Sequence, residues 1–332
     1  MTQAAPLAEI WRGDLLESQH LGHVVVCDAG GQVIRALGDA DAVIYPRSSC
    51  KMVQALPLLS SGAADRYGLT PEHLALACAS HNGAAIHTTR VAAWLQQLGL
   101  SEPDFRCGPQ EPADIPARDG LIRAGEAPCQ LHNNCSGKHA GFLTLGQYMG
   151  AGPEYVEVDH PVQQAARAAM EDTTGAETLG YGIDGCSAPN FATTLTGLAR
   201  AMAWFATASD RSDRQSAGAA RLVAAMMAHP ELVAGEGRAC TAIMRVAGGK
   251  AAVKTGAEGV FVAILPEQRL GIALKVSDGA TRASECAIAA LLSGLGVLPG
   301  DHPVIRAYAN AQIRNRRGIV TGDIRPAPAL SF

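Results

Sequence analysis

The sequence lacks features that mark several large classes of protein. No stretch approaches the roughly 18 uninterrupted apolar residues that a transmembrane helix requires. The opening residues, MTQAAPLAEIWRGD, have neither the basic start nor the apolar run of an export signal. No block of Lys and Arg forms a phosphate-binding face, and the net charge is −4. We therefore expect a cytoplasmic protein that binds neither membrane nor nucleic acid.

A disulfide framework is also missing from the pattern of cysteines. The nine cysteines are odd in number, scattered, and mostly set among apolar residues. In a reducing compartment most of them should be small buried hydrophobic residues. With 332 residues, of which 48% are hydrophobic, the chain can bury a large core without such cross-links.

Apolar runs near both ends of the chain predict β-hairpins. The runs HVVVCDA (23–29) and QVIRAL (32–37) flank Gly30 and Gly31, and GVFVAIL (259–265) and LGIALKV (270–276) flank a turn-like PEQR. Between them, helical spacing of apolar residues and much alanine predict helices at 87–98, 161–171, 188–208 and 212–228. A further helix is expected at 280–295, and the Pro- and Gly-rich segment 107–129 is expected to be loop.

This order of elements predicts an α+β fold with one catalytic domain, 1–332. An antiparallel sheet is formed from both chain ends, about 1–47 and 240–332, and a mainly helical lobe, about 48–239, is inserted between them.

Three short motifs follow one another in the chain. They are Ser48-Ser-Cys-Lys51 (S-x-x-K), Ser80-His-Asn82 (S-x-N) and Lys254-Thr-Gly256 (K-T-G). The same order occurs in penicillin-binding proteins and class A β-lactamases, which are active-serine enzymes. Each motif alone is weak evidence, but all three agree with the predicted arrangement of sheet and helices. Together they favour a serine nucleophile.

The first motif makes chemical sense at the start of a helix. Ser48 should lie near a helix N-terminus, with Lys51 one turn later on the same side. A lysine can take the serine proton only if burial or a nearby cation lowers its pKa, and Lys254 could supply that cation. The alternative for Ser48 is a plain helix cap. Ser80 could be an ordinary loop serine, and Lys254 an exposed charge at a strand end.

At these residues the chain resembles the rhizobial-type asparaginases, a family with a serine-β-lactamase-like fold. The resemblance spans nearly the whole sequence, and its most specific segment is HNNCSGKHAG (132–141). The other matching segments are Arg12-Gly13, Glu17-Ser18 with His20, PRSSCK (46–51), CASHNG (78–83), DGC (184–186), KTGAEG (254–259) and SDG (277–279). The family pattern usually has proline where Met52 stands, which puts only local helix geometry in doubt.

The resemblance implies two Ser-Lys pairs. Ser48, the expected nucleophile, pairs with Lys51, and Ser80 pairs with Lys254. By analogy with the K-T-G segment of β-lactamases, the oxyanion should be held by the backbone N–H groups of Ser48 and Ala257. The supporting residues expected around the substrate and the reacting groups are Arg47, Asn82, His139, Asp184 and Ala257.

The resemblance also implies a zinc site and a homodimer, and no organic cofactor. The zinc ligands would be Cys135, Lys138 and Cys186, with His139 and Asp184 as close supports. Two thiolates suit zinc well, whereas a lysine ligand is rare and must first lose its proton. The alternative is two buried thiols, with Lys138 and His139 making ordinary polar contacts.

These features predict an L-asparaginase that converts L-asparagine to L-aspartate and ammonia through an acyl-enzyme. A glutaminase, or another serine amidohydrolase of the same fold, would use the same residues. A penicillin-interacting enzyme is disfavoured by the missing export signal. From a different class, the chain could be a non-catalytic amino-acid-binding or zinc-binding protein. Ammonia release distinguishes these interpretations.

Overall fold

The protein consists of two compact units, seen in a computed structural model that describes residues 3–330. The first unit comprises the described residues of Met1–Ser49, Thr193–Thr207 and Ala242–Phe332. The second unit comprises Cys50–Ala192 and Ala208–Thr241.

The strands fall mostly near the two ends of the chain, as the sequence predicts. Their bounds are β1 Ala5–Arg12, β2 Leu15–Cys27, β3 Val33–Leu37, β4 Val43–Ile44, β5 Tyr181–Ile183, β6 Pro189–Phe191, β7 Thr193–Thr194, β8 Ala252–Thr255, β9 Val260–Leu265, β10 Leu270–Val276, β11 Gln312–Arg314 and β12 Val320–Pro326.

The helices occupy mainly the middle of the chain. Their bounds are α1 Lys51–Ser60, α2 Ala63–Arg66, α3 Pro71–Ala77, α4 Ala85–Gln97, α5 Ile115–Ala124, α6 Ser136–Met149, α7 Pro161–Thr174, α8 Leu195–Ala206, α9 Arg214–Ala228, α10 Pro230–Val233, α11 Ala239–Ala247, α12 Thr281–Gly294 and α13 Pro303–Ala309.

The first unit is built on an eight-stranded antiparallel sheet. Its strand order is β11-β12-β1-β2-β10-β9-β8, and β3 also pairs with β2. Ile272 of β10 lies opposite Val26 on one side and Ala263 on the other, which joins N-terminal and C-terminal strands at the centre. The predicted α+β fold, with one sheet made from both chain ends, is therefore confirmed.

Helices cover this sheet closely. Every residue of β9 is buried, as expected for a strand covered on both faces. Helices α8 and α12 both pack against the sheet. A Cβ atom at Gly271 would lie 2.0 Å from the backbone nitrogen of Ala203, so the missing side chain lets α8 contact β10 directly.

The second unit is a cluster of helices around α1. Nine of the ten residues of α1 are buried, because α3, α6, α7 and α9 all pack against it. Two glycines permit close helix contacts. A Cβ atom at Gly137 of α6 would lie 2.3 Å from the carbonyl oxygen of Leu76 in α3, and one at Gly218 of α9 would lie 2.9 Å from Cβ of Leu59.

Most predicted elements are confirmed, but two segments were interpreted wrongly. The stretch 188–208 is helical only from Leu195, because its start forms the short strands β6 and β7 and Thr194 caps α8 by accepting from Gly197 N at 3.0 Å. Helix α8 also belongs to the sheet unit, whereas 48–239 was expected to form the helical lobe. The predicted loop 107–129 contains α5, which begins at the cap Asp114 and ends at Gly125 in the left-handed conformation.

Candidate active site

The S-x-x-K motif begins in a 3₁₀ turn, Arg47–Cys50, that leads directly into α1. Ser49 is fully buried, and its hydroxyl donates to the carbonyl oxygen of Pro46 at 2.7 Å. Ser48 is only half-buried. Arg47 has a φ of +53°, a left-handed conformation that is uncommon for a residue with a side chain. The turn is therefore anchored through Ser49, and Ser48 keeps access to solvent.

The K-T-G motif lies beside this turn, within the same unit. A Cβ atom on Gly256 would lie 2.7 Å from the carbonyl oxygen of Pro46 and 3.1 Å from the nitrogen of Ser49. Lys254 is 1% exposed, and its amine donates to the carbonyl oxygen of Thr255 at 2.8 Å. Ala257, the expected oxyanion-binding residue, follows at an exposed position. Within the sheet unit, the turn residues Pro46 and Ser49 are thus neighbours of the third motif.

The second unit brings Lys51 and Ser80 together. Lys51 is 1% exposed, and its Nζ donates to Ser80 Oγ at 2.9 Å. The same amine contacts Cys135 Sγ at 3.1 Å and donates to the carbonyl oxygen of Ala79. A buried lysine amine held against a serine hydroxyl is a candidate proton-transfer pair. The expected pairing of Ser80 with Lys254 and of Ser48 with Lys51 stays a prediction.

His81 holds the Ser80 segment to the start of α6. Its backbone N–H donates to the carbonyl oxygen of Asn134 at 3.1 Å, while Ser80 N donates to Val233 O at 2.9 Å. The ring contacts Ser136 Oγ through Nε2 at 2.9 Å and accepts from the N–H of Gly83 through Nδ1 at 3.1 Å. Burial lowers the pKa of His81 well below its usual value, so the ring is neutral. His81 is the unspecified position of the S-x-N motif, so the sequence assigned it no role.

Asn82, the third residue of the S-x-N motif, is buried and tightly enclosed. Its Oδ1 accepts from the N–H of Ala84 at 3.3 Å. A Cβ atom on Gly235, whose φ is +104°, would lie 2.4 Å from Cγ of Asn82. Only glycine fits beside this amide, so Asn82 occupies a fixed position next to Ser80.

Cys135, Lys138 and Cys186 form one buried cluster in the second unit. Their exposed fractions are 5%, 2% and 3%, and Lys138 Nζ lies 3.1 Å from Cys186 Sγ. Cys186 is carried by the turn between β5 and β6, and Cys135 immediately precedes α6. The sequence separates the two thiols widely, so only the fold shows that they are neighbours.

The pKa values of the two thiols are shifted in opposite directions. A hydrogen bond from Cys135 lowers the pKa of Cys186 well below its usual value, and the same contact raises that of Cys135. Lys138 and His139 add to the lowering at Cys186. Burial alone would lower the pKa of Lys138, but the two sulfurs outweigh it and raise that pKa. Cys186 is therefore the thiolate, and Lys138 the ammonium that accompanies it.

His139 and Asp184, the expected supports, both lie at this cluster. His139 is fully buried, and its Nδ1 lies 2.8 Å from the hydroxyl of Tyr155. Asp184 accepts from the N–H of Gly185 at 2.7 Å and contributes to the raised pKa of Lys138. Tyr155 was not singled out from the sequence, because no motif includes it.

The donor set of the cluster fits zinc. Within residues 3–330 no group of three or more His, Cys, Asp or Glu side chains could hold a metal, so a site here needs the amine of Lys138. Two adjacent sulfurs, one of them a thiolate, are donors that suit zinc, and the nitrogen beside them is Lys138 Nζ, 3.1 Å from Cys186 Sγ. Lys138 must lose its proton before it can bind a metal, so metal and proton compete for the site.

The described part of the chain has no helix that is both long and apolar enough to cross a membrane. A search of curated protein sequences returned no match.

Solved structures give distant matches. Mglu in its native form is 15% identical, with a TM-score of 0.49, over 95% of this chain and 73% of that chain. A beta-lactamase from Mycobacterium bovis is 13% identical, with a TM-score of 0.41, over 79% of this chain and 89% of that chain.

The family comparison is more decisive, because it covers nearly the whole sequence. Residues 8–326 match the family described as L-asparaginase II, a range that includes all three motifs and the cysteine cluster. The resemblance to an asparaginase family is confirmed by this match, and the chain belongs to the L-asparaginase II family.

Proposed function

We propose that the protein is an L-asparaginase that hydrolyses the side-chain amide of L-asparagine through a covalent acyl-enzyme. The family supports an amidohydrolase of the asparaginase type acting on an amino acid. The observation that carries the mechanism is the buried Lys51 amine held 2.9 Å from Ser80 Oγ, because a Ser-Lys pair provides proton transfer without histidine or a metal-bound water.

In the first step of the proposal, Ser48 Oγ attacks the carboxamide carbon and Lys51 takes the serine proton. The carbonyl oxygen becomes an oxyanion, which the backbone N–H groups of Ser48 and Ala257 stabilise. Collapse of this intermediate breaks the C–N bond, and the nitrogen leaves as ammonia after receiving a proton. Ser48 is left esterified by the aspartyl group.

Ser80 assists both proton transfers in this proposal. Its hydroxyl accepts a hydrogen bond from Lys51, so it can receive a proton from the amine as it passes its own to the leaving nitrogen. In this proposal Lys254 pairs with Ser80 and takes part in the same proton transfer. In the second step water attacks the ester, the same groups return the proton to Ser48, and L-aspartate is released.

Cys135, Lys138 and Cys186 would hold the zinc ion in this proposal. The ion would supply a fixed positive charge that orients polar groups. Lys51 contacts Cys135 Sγ at 3.1 Å, so the order of the thiol cluster also fixes the position of the amine. Loss of the cluster should therefore displace Lys51.

Asparagine is proposed over glutamine because side-chain length decides where the reacting carbon lies. One methylene contributes only about 1–3 kcal/mol of discrimination through apolar contact. If the α-ammonium and α-carboxylate are held by polar groups, however, the extra methylene moves the carboxamide carbon away from Ser48. A misplacement near 1 Å can cost on the order of a hundredfold in rate.

Ammonia release from asparagine and glutamine, measured with and without a chelator, tests the proposal. We expect rapid release from asparagine and slow release from glutamine. Equal kcat/KM values for the two amides would make the protein a broad glutaminase-asparaginase. No release from either amide, with or without added zinc, would favour a non-catalytic binding protein.

A further inference from the structure

Arg106, Tyr155 and His139 form a chain of contacts that leads to the thiol cluster. The backbone N–H of Arg106 donates to the hydroxyl of Tyr155 at 2.8 Å, and that hydroxyl lies 2.8 Å from Nδ1 of His139. The ring of His139 is fully buried, and the rings of Phe105, Phe142 and Tyr155 surround it.

The direction of these hydrogen bonds follows from which atoms carry a proton. Tyr155 is 1% exposed, and burial raises its pKa, so the phenol keeps its proton. The oxygen of Tyr155 already accepts from Arg106, and its own hydrogen has Nδ1 of His139 as an acceptor. If His139 instead donated from Nδ1, the phenol hydrogen would be left buried without this acceptor, which carries the full desolvation penalty.

The second ring nitrogen faces the cluster. An imidazole ring carries at least one proton on its two nitrogens. With Nδ1 accepting from Tyr155, that proton must be on Nε2. In the described part of the chain Nε2 is buried and makes no hydrogen bond of good geometry. The side chain of His139 interacts with that of Cys186, and this interaction favours the Cys186 thiolate.

We propose that Tyr155 is a positioning residue that holds His139 in the Nε2–H tautomer, so that the ring donates to the Cys186 sulfur and does not itself bind a metal. His139 and Lys138 then both interact with the sulfur of Cys186, and Lys138 Nζ lies 3.1 Å from it. The tautomer depends on hydrogen bonds within the second unit, so it does not depend on whether the protein is an asparaginase.

The tautomer can be read directly by NMR of protein labelled with ¹⁵N in its histidine rings. The signals of His139 are assigned from their loss in His139→Gln. We expect the wild-type protein to show a protonated Nε2 and an unprotonated Nδ1. A protonated Nδ1 in the wild-type spectrum would overturn the proposal, and so would an Nε2 that loses its proton to coordinate added zinc. This spectrum decides even if a variant at Tyr155 fails to fold.

Tyr155→Phe removes the donor to Nδ1 while keeping the ring, and Tyr148→Phe is the matched control. Tyr148 lies on α6, as His139 does, but its side chain is exposed and its hydroxyl donates to the carbonyl oxygen of Ser61 at 3.2 Å. We expect Tyr155→Phe to populate the Nδ1–H tautomer and Tyr148→Phe to leave the spectrum unchanged. An unchanged His139 tautomer in folded Tyr155→Phe would show that Tyr155 does not set it.

Zinc affinity gives a second readout, measured by competition with a chromophoric chelator. Groups that orient a metal ligand typically contribute 10–100-fold to affinity, so Tyr155→Phe should weaken zinc binding by about that factor and Tyr148→Phe should not. Equal zinc affinities in wild type and Tyr155→Phe, despite a changed tautomer, would show that the His139 tautomer does not affect Cys186 as a zinc ligand. If the wild-type protein binds no zinc, the metal site is refuted, and the NMR spectrum alone decides on Tyr155.

Discussion

Gly256→Ala tests whether the K-T-G strand end supports the turn that carries Ser48. The new Cβ atom would lie 2.7 Å from the carbonyl oxygen of Pro46 and 3.1 Å from the nitrogen of Ser49. Ordinary contacts begin at 3.4 Å, and both neighbours are backbone atoms that cannot rotate away. The strand end and the turn must therefore move apart.

Gly256→Ala should lower both the stability of the protein and its catalytic rate. Overpacking of this kind costs roughly 1–3 kcal/mol. At about 2–4 °C per kcal/mol for a large domain, Tm should fall by about 2–12 °C. A shift of the nucleophile approaching 1 Å should lower kcat on the order of a hundredfold, with a smaller change in KM.

Differential scanning calorimetry and ammonia release measure both effects. Gly120→Ala is the control, because Gly120 lies within α5 and a Cβ atom there meets nothing within 4 Å. That change should raise stability by up to about 1 kcal/mol and leave activity unchanged. If Gly256→Ala matches the control in both assays, the two segments are not packed as described and the reasoning is refuted.

Four further outcomes are expected. Gly137→Ala should destabilise the second unit and reduce zinc binding, because its Cβ atom would lie 2.3 Å from the carbonyl oxygen of Leu76; unchanged zinc affinity would contradict this. His81 stays neutral when folded but binds a proton when unfolded, so the free energy of unfolding should fall as pH drops below about 6.5, by up to about 1.4 kcal/mol per pH unit. In urea unfolding measured at several pH values, His81→Asn should show a smaller decrease with falling pH. Cys186→Ser should abolish stoichiometric zinc in elemental analysis, whereas Cys286→Ser, a change at a buried thiol on α12, should not. Wild-type kcat/KM should favour asparagine over glutamine by on the order of a hundredfold, and a ratio near one would remove the proposed role of side-chain length.

Much of the fold could be predicted because its signals are local. Apolar runs on both sides of short turns predicted the hairpins of β2 with β3 and β9 with β10, and both are observed. The error at 188–208 has a physical reason, since alanine-rich composition concealed a strand-forming segment, Pro189–Phe191, whose partner is β5. Helix α5 was missed although Asp114, proline at 116 and Gly125 are ordinary start and stop signals.

The candidate site was less predictable, because its contacts join distant segments. Motifs identified Lys51 and Ser80, and the family resemblance implied both cluster thiols, but neither indicated that Lys51 contacts Ser80 and Cys135 together. Tyr155 had no signal at all, since its role depends on a hydroxyl brought to His139 by the loop before α7. The homodimer and the cytoplasmic location stay predictions.

The proposed mechanism depends on Ser48, and not Ser80, being the nucleophile. Ammonia release from L-asparagine by Ser48→Ala and Ser80→Ala, at equal protein concentration and with folding checked by circular dichroism, tests it directly. Loss of a nucleophile removes on the order of 10⁶-fold in kcat, whereas loss of a proton-transfer group costs about 10²–10⁴-fold. We therefore expect Ser48→Ala to fall to background and Ser80→Ala to retain measurable turnover. Faster turnover in Ser48→Ala than in Ser80→Ala would contradict the account and make Ser80, the serine that contacts Lys51, the nucleophile.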